Sequence, residues 1–271
     1  MILVTGATGA VGRPLVQRLV DAGHKVRALT RDPDTARFPA EVEAARTEDL
    51  PLDGVTSVFV NPIVFQAGLD DLLARVADHG IQRVVLLSSL ASAYAPDTFI
   101  GAHHLEMENR IEASVPKWTF LRPGAFASNA LQWAGQIRTD GVVRGPYARS
   151  HSAPIDERDI AAVAAIALTT DTLNGAKPLL TGPESLTSAD QVRIIGEVLG
   201  RPVRYEETPP EATREAMLAA HIPPPLVDSL LTLRAMAVDN PSEISPAVEQ
   251  ITGNPPRIFK TWATNNISQF R

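Results

Sequence analysis

A glycine-rich segment near the start of the chain has the residue types that a bound pyrophosphate requires. It reads Thr-Gly-Ala-Thr-Gly-Ala-Val-Gly over residues 5–12, between an apolar run and a helical pattern. The first glycine permits a tight turn, the second lets the backbone approach phosphate, and the third allows close helix–strand contact. The helix that follows directs its N-terminal amides at the anion. This pattern predicts a dinucleotide-binding loop, with a ligand-free glycine turn as the alternative, and the predicted contacts are Gly6, Thr8, Gly9, Ala10, Val11 and Gly12.

The end of the second predicted strand bears on which nicotinamide cofactor is bound. Sites for NAD(H) usually place Asp or Glu there, against the ribose hydroxyls, whereas this chain has Thr30 followed by Arg31. A guanidinium group matches the geometry of a 2′-phosphate. Arg13, just after the last glycine, is a second candidate, and Asp32 is expected to point away. The pattern favours NADP(H) over NAD(H), although Arg31 can also be read as a solvated surface residue.

Further motifs along the chain carry a resemblance to a known family. They are residues 26–33, 122–129, 154–161 (Pro-Ile-Asp-Glu-Arg-Asp-Ile-Ala) and 181–184. With the glycine loop, they resemble the short-chain dehydrogenase/reductase superfamily in its extended and atypical branches, and within it the NmrA-like NAD(P)-binding group. The resemblance implies a Rossmann fold and further cofactor contacts. It places Asp49 and Leu50 beside the adenine, Asn61 and Pro62 beside the nicotinamide-side ribose, and Pro123, Gly124 and Phe126 in the loop after the sixth strand.

The chain lacks the acid that most members of that superfamily use to reduce a carbonyl. They carry Tyr and Lys four residues apart on one helical face, where Tyr donates the proton and Lys lowers its pKa. None of the three tyrosines here, Tyr94, Tyr147 and Tyr205, has a lysine four residues later. By resemblance, the Tyr position falls on Ile100 and the Lys position on His104. The source of a proton therefore has to be unusual.

His104 and a pair of serines are the candidate catalytic residues. Glu108, one turn after His104, can reach it to orient or charge it. His104 then binds the nicotinamide ribose or donates a proton near neutral pH; a partly exposed helix residue without a role is the alternative. Ser88 and Ser89 end the fifth predicted strand, at the edge where open α/β sheets bind ligands. One of them resembles the serine that binds the substrate carbonyl, although serines commonly end strands.

Alternating β-branched runs and helical patterns must position these residues. The first 180 residues read as βαβ units. Strands are predicted over residues 2–5, 25–30, 43–46, 57–60, 83–88, 119–121 and 178–181, and helices over residues 13–22, 69–77, 104–113, 157–168, 189–199 and 226–237. Asp156 and Asp159 read as the cap and first-turn acid of a helix. The predicted fold is α/β, a doubly wound parallel sheet over residues 1–181, with 125–149 facing the substrate and 182–271 forming a smaller substrate-binding or lid lobe.

Composition limits the classes of partner. The chain of 271 residues is 44% hydrophobic and 21% charged with a net charge of −6, which excludes a disordered chain and makes a nucleic-acid partner unexpected. It has no cysteine and six scattered histidines, so no metal site is expected. No run of about 18 apolar residues and no basic leader is present, so neither a membrane span nor a signal peptide is expected. We expect a cytoplasmic monomer or homodimer acting on a small molecule.

These observations predict an NADPH-dependent oxidoreductase that reduces a carbonyl compound. The reaction resembles that of ketoreductases acting on hydroxylated aromatic ketones, with the proton coming from His104, from water or from the substrate. A quinone reductase is one alternative. A non-catalytic, NADP(H)-sensing regulator of the NmrA-like type is the other, because a degenerate active site is what that role predicts.

Overall fold

Short buried runs form a seven-stranded parallel sheet at the centre of the fold. The computed structural model describes residues 1–62 and 68–271. Its strands are β1 (Ile2–Val4), β2 (Val26–Thr30), β3 (Glu43–Arg46), β4 (Ser57–Val60), β5 (Arg83–Leu87), β6 (Lys117–Pro123), β7 (Val142–Gly145), β8 (His151–Ser152), β9 (Leu179–Leu180), β10 (Leu186–Thr187) and β11 (Arg204–Glu207). The central sheet has the order β3-β2-β1-β4-β5-β6-β9. The order reverses between β1 and β4, and ligands bind at such a crevice in open α/β sheets.

Helices cover both faces of this sheet, which confirms the doubly wound architecture. They are α1 (Gly12–Asp21), α2 (Leu69–Asp78), α3 (Ala91–Tyr94), α4 (Phe99–Ser114), α5 (Ala134–Asp140), α6 (Glu157–Thr169), α7 (Ser188–Leu199), α8 (Pro210–Ala219), α9 (Pro224–Met236), α10 (Ala247–Thr252) and α11 (Phe259–Asn265), with 3-10 helices over Ala127–Trp133 and Ile267–Phe270. On one face α1 and α6 form an apolar cluster with the sheet. On the other face α2 and α4 do the same.

Two elements differ most from the sequence-based prediction in their bounds, and the other predicted elements agree with it to within two residues at each end. The helix expected to begin at His104 begins at Phe99, because the Thr98 side chain accepts a hydrogen bond from the Gly101 amide and caps it. The sixth strand runs over Lys117–Pro123 because it pairs with β5 over most of its length and with β9 at its end. The longer α4 brings the Ile100 to Glu108 segment onto a single helix.

A third apolar cluster forms the smaller part of the molecule. Two-stranded sheets join β7 to β11 and β8 to β10. In the cluster, Trp133, Ile137 and Val143 pack with Val192 and Phe259, so its core comes from two separate stretches of chain. The boundary at residue 182 stays a prediction. None of the helices in the described part of the chain is long and apolar enough to cross a membrane.

Candidate functional site

The glycine loop after β1 leaves no room for side chains at its turn. Gly6 has a φ of +62°, a conformation that glycine adopts without strain. A Cβ on Gly12 would lie 2.2 Å from the Gly6 carbonyl oxygen. Residue 12 is therefore held against the backbone of residue 6, which sets the first turn of α1 close to the end of β1.

The outer side of this loop is open, as an anion site requires. Thr8, Gly9 and Ala10 are exposed, whereas Val11 and Gly12 are buried. No hydrogen bond within residues 1–62 and 68–271 engages the amides of Ala10 and Val11. These amides precede the first turn of α1, where the helix dipole favours negative charge. The loop therefore fits the pyrophosphate of a dinucleotide.

Substituting Gly12 by Ala is expected to lower the free energy of unfolding by about 1–3 kcal/mol, because the added carbon meets rigid backbone. The binding of NADPH should weaken as the loop shifts. Thermal unfolding and a fluorescence titration with NADPH measure the two effects. Gly135→Ala in α5 is the matched control, since nothing lies within 4 Å of its added Cβ. Equal behaviour of the two variants would contradict the close-approach role of Gly12.

Of the two predicted phosphate-binding arginines, Arg31 follows β2 directly, and Arg13, in the first turn of α1, reaches the segment that follows Arg31. The Arg46 guanidinium donates to the Arg31 carbonyl oxygen at 3.2 Å, and that of Arg13 donates to the Arg37 carbonyl oxygen at 3.0 Å. Arg13 and Arg46 thus hold the backbone of this segment. The exposed side chains of Arg31 and Arg37 have no hydrogen-bond or ion-pair partner among the described residues. Sequence reasoning missed Arg37, because it lies beyond the strand end in an irregular segment.

Asp32, which follows Arg31, is held by its own turn. Its carboxylate accepts hydrogen bonds from the Thr35 hydroxyl at 2.7 Å and the Thr35 amide at 3.4 Å. The hydroxyl contact is the main reason that the pKa of Asp32 lies below its usual value. The turn therefore engages the acidic group next to Arg31. That Asp32 points away from the ribose stays a prediction.

The residues assigned to the adenine and ribose lie beside the loop and β4. The Asp49 and Leu50 carbonyl oxygens accept hydrogen bonds from the Arg75 side chain at 3.2 and 2.6 Å, which fastens their segment to α2. The Asn61 amide donates to the Thr5 hydroxyl at 2.7 Å. The structure thus brings Asn61 against the glycine loop. The contacts of these residues with a cofactor stay a prediction.

A fully buried carboxylate, that of Glu108, organises the ends of β5 and β6. One oxygen accepts the hydroxyls of Ser88 and Ser92 at 2.5 and 3.0 Å and the Arg122 Nε at 2.9 Å. The other accepts the Arg122 Nη2 at 2.5 Å. Burial raises the pKa of Glu108, but these hydrogen bonds outweigh it and hold the pKa below its usual value. Glu108 is therefore ionised at neutral pH and joins α4 to both strands.

His104 does not receive the partner that the sequence predicted. Its Nδ1 lies 2.7 Å from the Ile100 carbonyl oxygen, and since a carbonyl only accepts, Nδ1 carries the hydrogen. Glu108 does not orient His104 through a hydrogen bond, because its carboxylate accepts from Arg122, Ser88 and Ser92. Burial lowers the pKa of His104, and this effect is larger than that of the negative charge of Glu108, which still raises the pKa in the direction expected. A neutral ring with its hydrogen on Nδ1 presents Nε2 as an acceptor, which fits a ribose hydroxyl better than proton donation.

The two candidate serines differ in what their hydroxyls can do. The Ser88 hydroxyl donates its hydrogen to Glu108. The Ser89 hydroxyl oxygen accepts from the Ala91 amide at 3.2 Å, and its hydrogen has no acceptor among the described residues. Of the pair, Ser89 is the one whose hydroxyl is able to donate to a ligand.

The loop after β6 is fixed by backbone bonds on both sides. The Pro123 carbonyl oxygen accepts from the Leu90 amide at 2.8 Å, and the Gly124 amide donates to Leu180 at 2.9 Å. Phe126 forms an isolated parallel bridge with Ile155. These contacts bring Pro123, Gly124 and Phe126 to the carboxyl edge beside Ser89.

The acidic residues at the start of α6 have a structural role. Asp156 caps α6, as predicted, by accepting from the Arg158 amide. Glu157 accepts the Ser128 amide at 2.8 Å, and Asp159 accepts the Arg257 amide at 2.7 Å. Sequence reasoning missed that Glu157 fastens the 3-10 helix, because the partners are 29 residues apart.

Comparison with known proteins covers nearly the whole chain. The sequence profile of the NmrA-like family matches residues 1–254. A (4-alkanoyl-5-oxo-2,5-dihydrofuran-3-yl)methyl phosphate reductase of Streptomyces griseus is 38% identical, over 100% of this chain and 99% of that protein. An NAD(P)H azoreductase of Xenophilus azovorans is 32% identical over the same shares.

Solved structures share the fold. An NADPH-dependent quinone oxidoreductase from Escherichia coli, complexed with NADPH, superposes with a TM-score of 0.82 at 21% identity, over 98% of this chain and 99% of that one. At this identity the likeness concerns the fold alone, in agreement with the sheet order described above.

Proposed function

This chain belongs to the NmrA-like family, and we propose that it is an NADPH-dependent reductase of a small conjugated carbonyl compound. The observation that carries the proposal is the open glycine cradle, with two unengaged amides before α1. The relatives named as reductases, at 38% and 32% identity over the whole chain, support the reaction class. NADPH supplies a hydride when it is bound.

Arginine side chains support NADP(H) as the cofactor. Arg31 and Arg37 extend beyond β2 without partners among the described residues, and the neighbouring carboxylate of Asp32 is engaged by Thr35. A guanidinium group binds a phosphate with two parallel hydrogen bonds. The loop then holds the pyrophosphate, the arginines hold the 2′-phosphate, and Asn61 and His104 hold the ribose next to the nicotinamide.

The residues that replace the Tyr–Lys pair narrow the substrate class. Ile100 has no proton to give, and the lowered pKa of His104 keeps its ring neutral at pH 7. Reduction at such a site favours an acceptor that becomes a stabilised anion, because water then suffices as the proton source. A carbon–carbon double bond conjugated to two carbonyl groups meets this condition: one carbon gains the hydride, and the negative charge on the other is shared by both carbonyls until water protonates it.

The compound named for the Streptomyces griseus reductase is of this kind. Its dihydrofuran ring has a double bond, an alkanoyl group and a ring oxo group. We place doubly activated alkenes and quinones first among acceptors for this chain. A hydroxylated aromatic ketone comes second, since a phenol next to its carbonyl can stabilise the alkoxide in place of the missing tyrosine. Ser89 is positioned to donate a hydrogen bond to the substrate carbonyl.

A single series of assays tests the proposal. NADPH and NADH are titrated by fluorescence, and loss of reduced nicotinamide is then followed with an alkanoyl butenolide, a benzoquinone, a hydroxylated aromatic ketone and cyclohexanone. Tighter binding of NADPH, with turnover of a conjugated member and none of cyclohexanone, supports it. Binding without turnover across the series would favour the non-catalytic NADP(H)-sensing role. Failure to bind either cofactor would overturn the proposal at its first step.

Ser89→Ala is expected to lower kcat/KM by about tenfold, the loss of one hydrogen bond to developing charge. Ser88→Ala is the matched control, because its hydroxyl is committed to Glu108. That variant should lose about 1 kcal/mol of stability and keep more of the activity. Steady-state kinetics and urea unfolding separate the two. A larger kinetic loss in Ser88→Ala would show that the wrong serine has been chosen.

His104→Ala is expected to weaken NADPH binding by about three- to tenfold, the contribution of one hydrogen bond. Because the pKa of His104 lies below its usual value of 6.5, the ring is mainly neutral above pH 6.5, and the variant should keep the kcat–pH profile of the native chain in that range. Fluorescence titration and a kcat–pH profile measure both effects. His24→Ala, in an exposed turn before β2, is the control. A collapse of kcat together with an altered profile would assign proton donation to His104 instead.

A further inference from the structure

Large hydrophobic side chains are exposed mainly in one part of the molecule. In the described part of the chain, six such residues are exposed: Tyr94, Phe99, Leu131, Met236, Ile244 and Ile258. Scattered exposed residues of this kind are normal. Here all but Ile258 lie on segments that contact one another, and we call these five residues the apolar rim.

Side-chain hydrogen bonds join the segments that carry the apolar rim. The Tyr94 hydroxyl donates to the Glu243 carboxylate at 3.0 Å, next to Ile244. The Ile100 amide, which follows Phe99, donates to the Ser229 hydroxyl of α9 at 3.2 Å. Near the C-terminal end of α9, Arg234 donates to Gln132 at 3.3 Å. These bonds bring Tyr94 close to Ile244, Phe99 to α9, and α9 to Leu131.

The apolar rim lies at the edge of the sheet where the candidate site is found. Both α3 and α4 follow β5, whose end carries Ser88 and Ser89, and the 3-10 helix follows β6 and the Pro123 loop. The carboxyl ends of parallel strands meet at one edge. The rim therefore lies at the same edge as the site proposed above.

Helix α9 packs on α4 at this edge and α8 packs on α9, and the two helices form no core of their own. No residue of α8 is buried, and in α9 only Val227 and Ser229 are buried. Met236, the last residue of α9, is 55% exposed. An apolar ligand that lies against exposed apolar side chains on these helices removes them from water, which favours binding.

We propose that the apolar rim binds an alkyl or acyl chain of the substrate, so that the substrate consists of a conjugated carbonyl head and an apolar tail. This inference rests on the proposed function, because it places the head at Ser89. The polar groups at the rim, Glu243 and Arg234, already have partners, so the surface offers apolar contact to a ligand more than charge.

Substrates that differ only in the length of the alkanoyl chain test whether the apolar rim binds that chain. Alkanoyl butenolides from acetyl to octanoyl are assayed with NADPH, and kcat/KM is expected to rise by about two- to fourfold per methylene group, which is the range for partial to full burial. Met236→Ser and Phe99→Ser should flatten this dependence. Ile258→Ser, at a hydrophobic residue of similar exposure outside the rim, is the matched control. Thermal unfolding should show all three variants folded, since each residue is about half exposed.

Binding of saturated alkanoyl lactones, which are not reduced, gives a second readout by calorimetry in the presence of NADP⁺. The inference is supported, even without turnover, if the affinity of the native chain rises with the length of the alkanoyl chain and rises less steeply in the two rim variants. Absence of any turnover with this rise intact would count against the proposed function alone. Affinity independent of chain length, or a slope equal in the rim variants and Ile258→Ser, overturns the inference. Dissociation of an oligomer by the rim variants with an unchanged slope would make this face a contact between copies of the chain and also overturn it.

Discussion

Replacing Glu108 by Gln is expected to lower the free energy of unfolding by about 3–5 kcal/mol, the cost of breaking a buried ion pair. The carboxylate is fully buried, and the Arg122 side chain that it pairs with is 14% exposed. Without the negative charge, the guanidinium keeps its desolvation penalty and loses its counterion. The Ser88 and Ser92 hydroxyls lose a charged acceptor as well.

Urea unfolding of Glu108→Gln and of a matched control measures this effect. Glu106→Gln lies on the same helix, but its side chain is 67% exposed and pairs with Arg110 at 3.7 Å, so a loss within about 0.5 kcal/mol is expected. Both variants replace a glutamate of α4 by glutamine, so they differ mainly in whether the lost charge is buried or exposed. Similar losses in both would contradict the central position given to the buried carboxylate.

The stability lost in Glu108→Gln is expected to depend on pH. The pKa of Glu108 is lower in the folded protein than its usual value of 4.5. Its ionised form therefore stabilises the fold fully above about pH 4.5, and that contribution is lost as the pH falls through the lower, folded-state pKa. The difference in stability between the native chain and Glu108→Gln should be largest near neutral pH and should shrink on acidification below pH 4.5.

Replacing Arg31 by Ala is expected to weaken NADPH binding by about 10–100-fold and to leave NADH binding unchanged. A hydrogen bond to a charged group contributes about 1.5–3 kcal/mol, and the exposed guanidinium has no competing partner among the described residues. Screening by salt weakens the contact. The dependence of NADPH affinity on ionic strength should therefore be smaller in the variant.

Fluorescence titrations with NADPH and with NADH, each at two ionic strengths, measure the preference for NADPH over NADH. Arg18→Ala is the control, because Arg18 lies in the last turn of α1, away from the loop. Arg37→Ala shows whether the second unpartnered arginine shares the phosphate, in which case the double variant should lose more than either single one. If Arg31→Ala weakened NADH as much as NADPH, the arginine would act on the whole dinucleotide and not on its 2′-phosphate.

Local patterns predicted the parts of the site that depend on neighbours in sequence. The glycine loop needs only residues 5–12, and the cap of α6 needs only Asp156 and the amide two residues later. Such contacts are specified within a few residues, so their spacing reveals them.

Contacts between distant segments could not be predicted in this way. Glu108 meets Ser88, 20 residues earlier, and Arg122, 14 residues later, because β5, β6 and α4 come together only in the folded sheet. The helical spacing of His104 and Glu108 suggested a pair, but a charged arginine and two hydroxyls compete better for a buried carboxylate than a neutral ring whose own hydrogen is bound to Ile100.

The third apolar cluster is built from two separate stretches of the chain, and this determines how the molecule unfolds. Trp133, Ile137 and Val143 precede α6 and β9, whereas their partners Val192 and Phe259 follow them. Moreover, α10 returns to the first cluster through Val248. Neither part therefore has a complete core from one uninterrupted stretch. Heating should produce a single cooperative transition, and a fragment ending at residue 181 should leave the indole of Trp133 without its packing partners and prone to aggregate.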